Sequence, residues 1–441
     1  MPMLEASTRG LEEASRPSAY HLDFSGDGWR TPELLRGWDQ LLNGRCNPDG
    51  LYQTPDFFEH LHALGAEQKK LSLMTVRGAD GSLAGVVPLR VTRASLSFDV
   101  SHRVLGAVNV SAVEVLGSQP LIPSTSTQHD RLFSTIIGAF PGCHAITMKN
   151  VPTDSFLWRH CHESKVLRSQ FIVYVPYGKR HCHTIPLPAT FEEYLTQFSA
   201  KKRYNLRRQV RRLHTHARGA VELRRIEAPN DVTALIHAVE TLRRGSRSDS
   251  THAHTGQFPA IDPDAFADLA RRDMLLGYVL LCEGRPCAAA VGVKYGRTYQ
   301  MGSPMAAHIL KGHDRMIHDE SMAAFSPGTV LLFLFIEDLI SQGYQLIDLG
   351  YGEPAYRHSS TNLVVERGSI LLLRRTFSNS VYHVGHAAFR AGVGHAAFCA
   401  GINLVKSLRQ ALSRRDIHKQ SPHLFPILSP TAEWFNTLLS T

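Results

Sequence analysis

Two short stretches of this 441-residue chain carry residue types that could do chemistry. The first is Phe325-Ser326-Pro327-Gly328-Thr329. Ser326 is a favoured helix N-cap, Pro327 suits the first helical position, and Gly328 lets a ligand approach the backbone. The free amides and positive dipole end of a helix starting there would hold an anion such as a pyrophosphate. The second stretch runs from Asp348-Leu349-Gly350-Tyr351 through Gly352-Glu353-Pro354-Ala355 to Tyr356-Arg357. Asp348 or Glu353 could take a proton from a nucleophile, and Tyr356 could return one to a leaving group. A plain capped helix and a solvated strand-end turn would use the same residue types, so the surrounding elements decide.

Those elements alternate. Residues 298–302 read as a strand, 327–342 as a helix closed by Gly343, and 344–349 as the next strand. A strand–helix–strand crossover collects ligands at the carboxyl ends of its strands. Upstream, 276–281 and 287–294 form a hairpin around Glu283-Gly284-Arg285, and 369–374 is a last strand. The first half runs in the same order. Strands 71–76 and 83–91 flank the turn Ala79-Asp80-Gly81, and strand 111–116, helix 130–140 and strand 144–151 follow. Sequence identity between the halves is slight, so architecture is repeated and sequence is not. Each half should hold a parallel strand pair joined through its helix. The first-half helix begins at Gln128-His129-Asp130 with no glycine close behind, so that half is expected to be structural or to line an acceptor cleft.

Three blocks resemble the GNAT acyltransferases, in the CelD-type branch linked to cellulose and exopolysaccharide biosynthesis, with FemAB-like aminoacyl transferases as structural relatives. The blocks are residues 199–208, residues 326–332, and residues 347–353 with Tyr356-Arg357. The first half adds Trp38, Gly85-Val86-Val87-Pro88-Leu89 and Val151-Pro152. The resemblance spans residues 38–375 and implies an α/β fold of two tandem GNAT-like modules, each a mixed antiparallel and parallel sheet flanked by helices. The expected segments are a loose leader at 1–30, a degenerate module at 31–184, a transferase module at 185–376, and a basic helical tail at 377–441.

The resemblance further implies acetyl-CoA or another acyl-CoA as donor. Its pantetheine arm would lie along Met301, Gly302 and Ser303, and its pyrophosphate at Ser326, Pro327, Gly328 and Thr329. The helix start lacks the glycine-rich loop of typical GNAT enzymes. Asp348 or Glu353 would be the base and Tyr356 the acid. Tyr204, Arg207, Arg208, Tyr351 and Arg357 would meet the acceptor, a sugar, polysaccharide precursor or other small amine or alcohol. Two alternatives stand beside this: an inactive GNAT-like binding module in a polysaccharide-biosynthesis assembly, and an aminoacyl transferase using charged tRNA.

Composition narrows the classes. With 43% hydrophobic and 20% charged residues the chain is globular. Its longest apolar run, 330–336, is too short to cross a bilayer, and the acidic opening stretch is no secretory signal, so a cytosolic location is expected. The seven scattered cysteines suit reduced, buried thiols. The net charge of +9 favours an anionic partner, and much of it sits between Lys201 and Arg218. Arginines at i, i+4 there repel unless an anion lies between them. Nucleic acid is not expected, because only Tyr204 interleaves the charge and no recognised motif accompanies it. The pairs His160/His162, His181/His183 and His252/His254 lack zinc-site spacing, so no metal is expected. A basic helix at 402–415 would dock on the protein or stay solvated, with weak contact to an anionic membrane as the other possibility.

Overall fold

The computed structural model describes residues 21–25, 27–43, 48–64, 71–100, 103–245, 262–301, 316–351, 363–390 and 392. The first half opens with β1 (His21–Ser25), α1 (Pro32–Asn43) and α2 (Pro55–Ala63). Strands β2 (Leu71–Arg77), β3 (Leu83–Val100) and β4 (Arg103–Val115) follow, then α3 (Ser126–Ala139) and β5 (Ala145–Pro152). Helices α4 (Phe156–Glu163) and α5 (Lys165–Gln170) lead to β6 (Phe171–Tyr174) and β7 (Lys179–Pro186).

The second half begins with α6 (Phe191–Thr196), α7 (Ala200–His216), β8 (Val221–Ile226), α8 (Val232–Gly245) and α9 (Pro263–Arg271). Then come β9 (Leu275–Cys282), β10 (Arg285–Tyr295), β11 (Thr298–Gln300) and β12 (Met316–His318). Helix α10 (Pro327–Ser341), β13 (Leu346–Tyr351), β14 (Leu363–Arg374) and α11 (Phe377–Arg390) complete the described chain.

The strands form one mixed sheet in the order β1-β2-β3-β4-β5-β14-β7-β13-β11-β10-β9-β8, with β6 beside β14 and β12 beside β10. The order reads alike from both ends. Among the described residues both parallel pairs, β4 with β5 and β11 with β13, are bridged by a helix, α3 and α10 respectively. This is the repeat that the pattern of elements predicts. Even a local irregularity recurs: β5 and β13 each bulge, and the bulges carry the left-handed residues Asn150 (φ 60°) and Gly350 (φ 68°).

The halves exchange strands at their junction. β7, from the first half, pairs antiparallel with β13, and β14, from the second, pairs with β5. β7 and β14 then pair with each other across the middle. A shared apolar core reinforces this seam on one face of the sheet, where Trp38, Phe57 and Phe58 pack in one cluster with Leu235, Phe266 and Leu269. His60 Nδ1 lies 2.8 Å from Asp268 Oδ2 across the same boundary. On the opposite face, Ile146, Met148 and Ile370 pack with the apolar stripe of α3, and Ile185 and Ile347 with that of α10.

Several details differ from the sequence expectations. Residues 21–25 fall inside the stretch expected to be a loose leader, yet they form an edge strand paired with β2. β3 and β4 extend well past the expected 83–91 and 111–116, because the two strands pair from Leu89 and Val115 out to Val100 and Arg103. The expected basic helix at 402–415 lies outside the described residues. No described helix is long and apolar enough to cross a membrane.

Candidate functional site

Helix α10 begins where the sequence places it, but its start is built differently. Ser326 takes the left-handed conformation (φ 51°, ψ 52°) and makes no side-chain cap bond, in contrast to the expected N-cap. Its hydroxyl instead lies 3.5 Å from Gln209 Nε2 on α7. Pro327 has no N–H to satisfy. The amides of Gly328 and Thr329 lie in the first turn, where no intrahelical carbonyl can reach them. A side chain at Gly328 would meet only the His318 ring, at 3.5 Å, so the protein's own packing does not demand glycine there. The equivalent helix α3 is capped conventionally, Thr125 Oγ1 accepting from the Gln128 amide at 3.4 Å. The two halves therefore differ where an anion would bind.

Beside this helix start lies α7. Arg208, Arg211, Arg212, Thr215 and His216 line, with Phe325, an open cavity of about 350 Å³. The Phe325 ring stacks on His216 at 4.0 Å and faces the Arg212 guanidinium at 5.8 Å. None of the three arginines has a carboxylate partner among the described residues, so the mutual repulsion of Arg208 and Arg212, one turn apart, is uncompensated. The sequence could have shown this group, since 208, 211, 212 and 215 share one helix face. Of the other expected substrate contacts on α7, Arg207 turns to Glu192 at 3.3 Å, and Tyr204 is solvent-exposed with Arg211 over its ring.

The parallel pair beneath is short. Thr298, Tyr299 and Gln300 pair with Leu346, Ile347 and Asp348, and the Met301 amide donates to the Asp348 carbonyl at 2.8 Å. β13 then continues to Tyr351 along β7 among the described residues. The Met301 side chain is buried in the core under α10. Gly302, Ser303, Glu353, Tyr356 and Arg357 lie outside the described residues.

Asp348 is fully buried. Its Oδ1 accepts from the Gly350 amide at 2.7 Å, which holds the bulge, and its Oδ2 lies 3.5 Å from Arg367. Arg367 also reaches Asp49 at 3.3 Å, and Asn150 Nδ2 donates to both Asp49 oxygens at 3.0 Å. Two buried carboxylates thus share one guanidinium. Burial pushes Asp49 up, Arg367 pulls it down and Asp348 pushes it up again, leaving it at about 6. Asp348 sits in this interior cluster and not on an open surface, which suits a positioning role better than direct proton exchange with a bound molecule.

A second cavity, of about 330 Å³, opens on the sheet face opposite α10. Thr147 and Lys149 alternate with the buried Ile146 and Met148 of β5 and so line it. Arg93, Tyr177, Arg180 and Tyr351 add to the polar lining. Tyr351, an expected substrate contact, lies under the Arg180 guanidinium at 4.2 Å. Burial, and then the nearby Cys182, raise its phenol above the usual range, so it keeps its proton. Sequence reasoning missed Arg93, Lys149 and Arg180, which are scattered over three strands and share no local pattern. Lys149 meets Glu114 at 2.9 Å, and Arg90 meets the same carboxylate at 2.6 Å. Burial opposes ionisation of Glu114, but the two cations outweigh it and bring its pKa down to about 2.

The histidine pair at 160 and 162 lies on α4. His160 bonds Asp130 at 2.9 Å and His162 bonds the Trp158 carbonyl at 2.8 Å. No group of three potential metal ligands assembles among the described residues.

Residues 200–358 match the family model of the acetyltransferase (GNAT) domain. No curated protein matches the sequence. Among solved structures, FemX aligns with 10% identity and a TM-score of 0.53, over 82% of this chain and all of that one. A tandem GNAT protein from the clavulanic acid biosynthesis pathway aligns at 12% identity and a TM-score of 0.44, over 80% of this chain and 98% of that one. The C-terminal domain of a putative lysylphosphatidylglycerol synthetase from Agrobacterium fabrum aligns at 12% identity and 0.46, over 80% and 95%. At 10% identity the FemX likeness speaks to the fold alone. Residues 200–358 are thus similar to the acetyltransferase (GNAT) domain, within an α/β architecture whose first half repeats the second.

Proposed function

We propose that the protein is an acyl-CoA-dependent N- or O-acyltransferase whose donor binds at the start of α10. The observation that carries this reading is the pairing of an uncapped helix start with the arginine-lined cavity of α7 beside it. The amides of Gly328 and Thr329 suit a diphosphate, and the guanidiniums of Arg208, Arg211 and Arg212 suit the remaining phosphate of coenzyme A. When bound, such a donor supplies an activated thioester carbonyl. The protein's part is to fix that group near the end of β13, where Asp348 holds the bulge at Gly350. Glu353 as base and Tyr356 as acid are the roles that their residue types suggest within this reading. The protonated Tyr351 phenol adds a hydrogen-bond donor on the acceptor side.

The test is thermal unfolding of the full chain with and without acetyl-CoA. A donor present at 100 times its dissociation constant should stabilise the fold by about 2.7 kcal/mol. In the Arg211→Gln/Arg212→Gln variant the same concentration should stabilise it far less. An equal response in that variant would remove the α7 cavity from the donor site. A response to charged tRNA but not to acetyl-CoA would favour the aminoacyl-transfer alternative.

A further inference from the structure

We propose that the cavity on the sheet face opposite α10 is the acceptor site, and that it selects an anionic, polyhydroxylated acceptor about the size of a sugar. This deepens the acyltransferase reading and rests on it only in naming the occupant an acceptor. The lining residues contribute three cations and no carboxylate. Lys149 is already matched by Glu114. Arg93 and Arg180 are exposed and have no carboxylate partner among the described residues, Arg180 resting only on the Tyr351 ring. Two guanidiniums facing one cavity without acidic partners present paired N–H donors suited to a carboxylate or a phosphate.

The rest of the lining matches the rest of such a molecule. The rings of Tyr177 and Tyr351 and the side chain of Leu371 provide faces for an apolar ring surface. Thr147 and Ser369 offer hydroxyls, and a volume of about 330 Å³ suits a small polar ring compound. Position supports the assignment. Tyr351 is the last residue of β13, so the cavity borders the carboxyl end of that strand. Donor and acceptor would then approach from opposite faces of the sheet and meet at that strand end.

Isothermal titration of the full chain with glucosamine 6-phosphate, galacturonate and glucosamine tests this, with acetyl-CoA titrated separately. The phosphate and carboxylate probes distinguish the two possible anions. At least one should bind about tenfold or more tightly than glucosamine, and Arg93→Gln and Arg180→Gln should each erase most of that preference. Acetyl-CoA binding should be unchanged in both variants. Equal binding of glucosamine, or charged-probe binding that survives both variants and is lost in Arg211→Gln/Arg212→Gln, would overturn the proposal. Charged-probe binding that follows Arg93 and Arg180 in a protein that ignores acetyl-CoA would leave the anion site standing and sink the donor assignment.

Discussion

Replacing Glu114 by glutamine tests how charge is managed beneath the second cavity. Glu114 is 1% exposed and compensated by two cations, Arg90 at 2.6 Å and Lys149 at 2.9 Å. Its pKa falls from 4.5 to about 2 in the folded protein. A group whose folded pKa is depressed stabilises the fold above its unfolded pKa, and that contribution is lost as pH falls through the folded value. At 1.36 kcal/mol per unit, the shift amounts to about 3 kcal/mol at pH 7 and about 1 kcal/mol at pH 3. Glutamine keeps the shape and removes the charge, leaving Arg90 buried without its counter-ion. Urea unfolding of wild type and Glu114→Gln, followed by tryptophan fluorescence from pH 7 down to pH 3, should show a gap that narrows by about 2 kcal/mol. A gap of constant size across that range would refute the reasoning, because only a group that titrates differently in the two states can make the gap depend on pH.

Asp49 should behave with the opposite sign. Its pKa is raised to about 6, so its contribution is present below about pH 3.8 and lost as pH rises through 6. Asp49→Asn should therefore gain on wild type by about 2.4 kcal/mol between pH 4 and pH 7, as read from the same urea curves. No relative gain would mean that Arg367 compensates Asp49 fully. Gly117→Ala forces a side chain onto a backbone at φ +85° and into the Gln53 side chain, whose amide donates to the Leu116 and Gln119 carbonyls. It should cost about 2 kcal/mol or more in the urea midpoint, and a loss below 0.5 kcal/mol would mean that the turn relaxes freely.

Much of the second-half scaffold was legible because its signals are local. Pro327 and Gly343 bracket α10, whose end at Ser341 lies one residue short of the expected helix. The hairpin of β9 and β10 turns at Glu283-Gly284 as the spacing predicts, with both residues at positive φ. The exchange of β7 and β14 was not legible. Their partners lie more than a hundred residues away for β13 and for β5, and strand pairing at that range leaves no periodic trace. The two cavities fall on either side of the same divide. Arg208, Arg211 and Arg212 lie within one helix and share a face, whereas Arg93, Lys149 and Arg180 become neighbours only once β4 and β14 have joined β3, β5 and β7 into one sheet. The Ser326 conformation also escaped notice, because a serine before Pro327 promises a cap and only the local fold turns its hydroxyl toward Gln209.

The most direct measurement is the position of coenzyme A in crystals of the full chain grown with it. Diphosphate oxygens within hydrogen-bond distance of the Gly328 and Thr329 amides, with at least one of Arg208, Arg211 and Arg212 on a phosphate, are the predicted result. Coenzyme A seated at the Thr125-capped start of α3, or in the cavity lined by Arg93 and Arg180, would contradict the account.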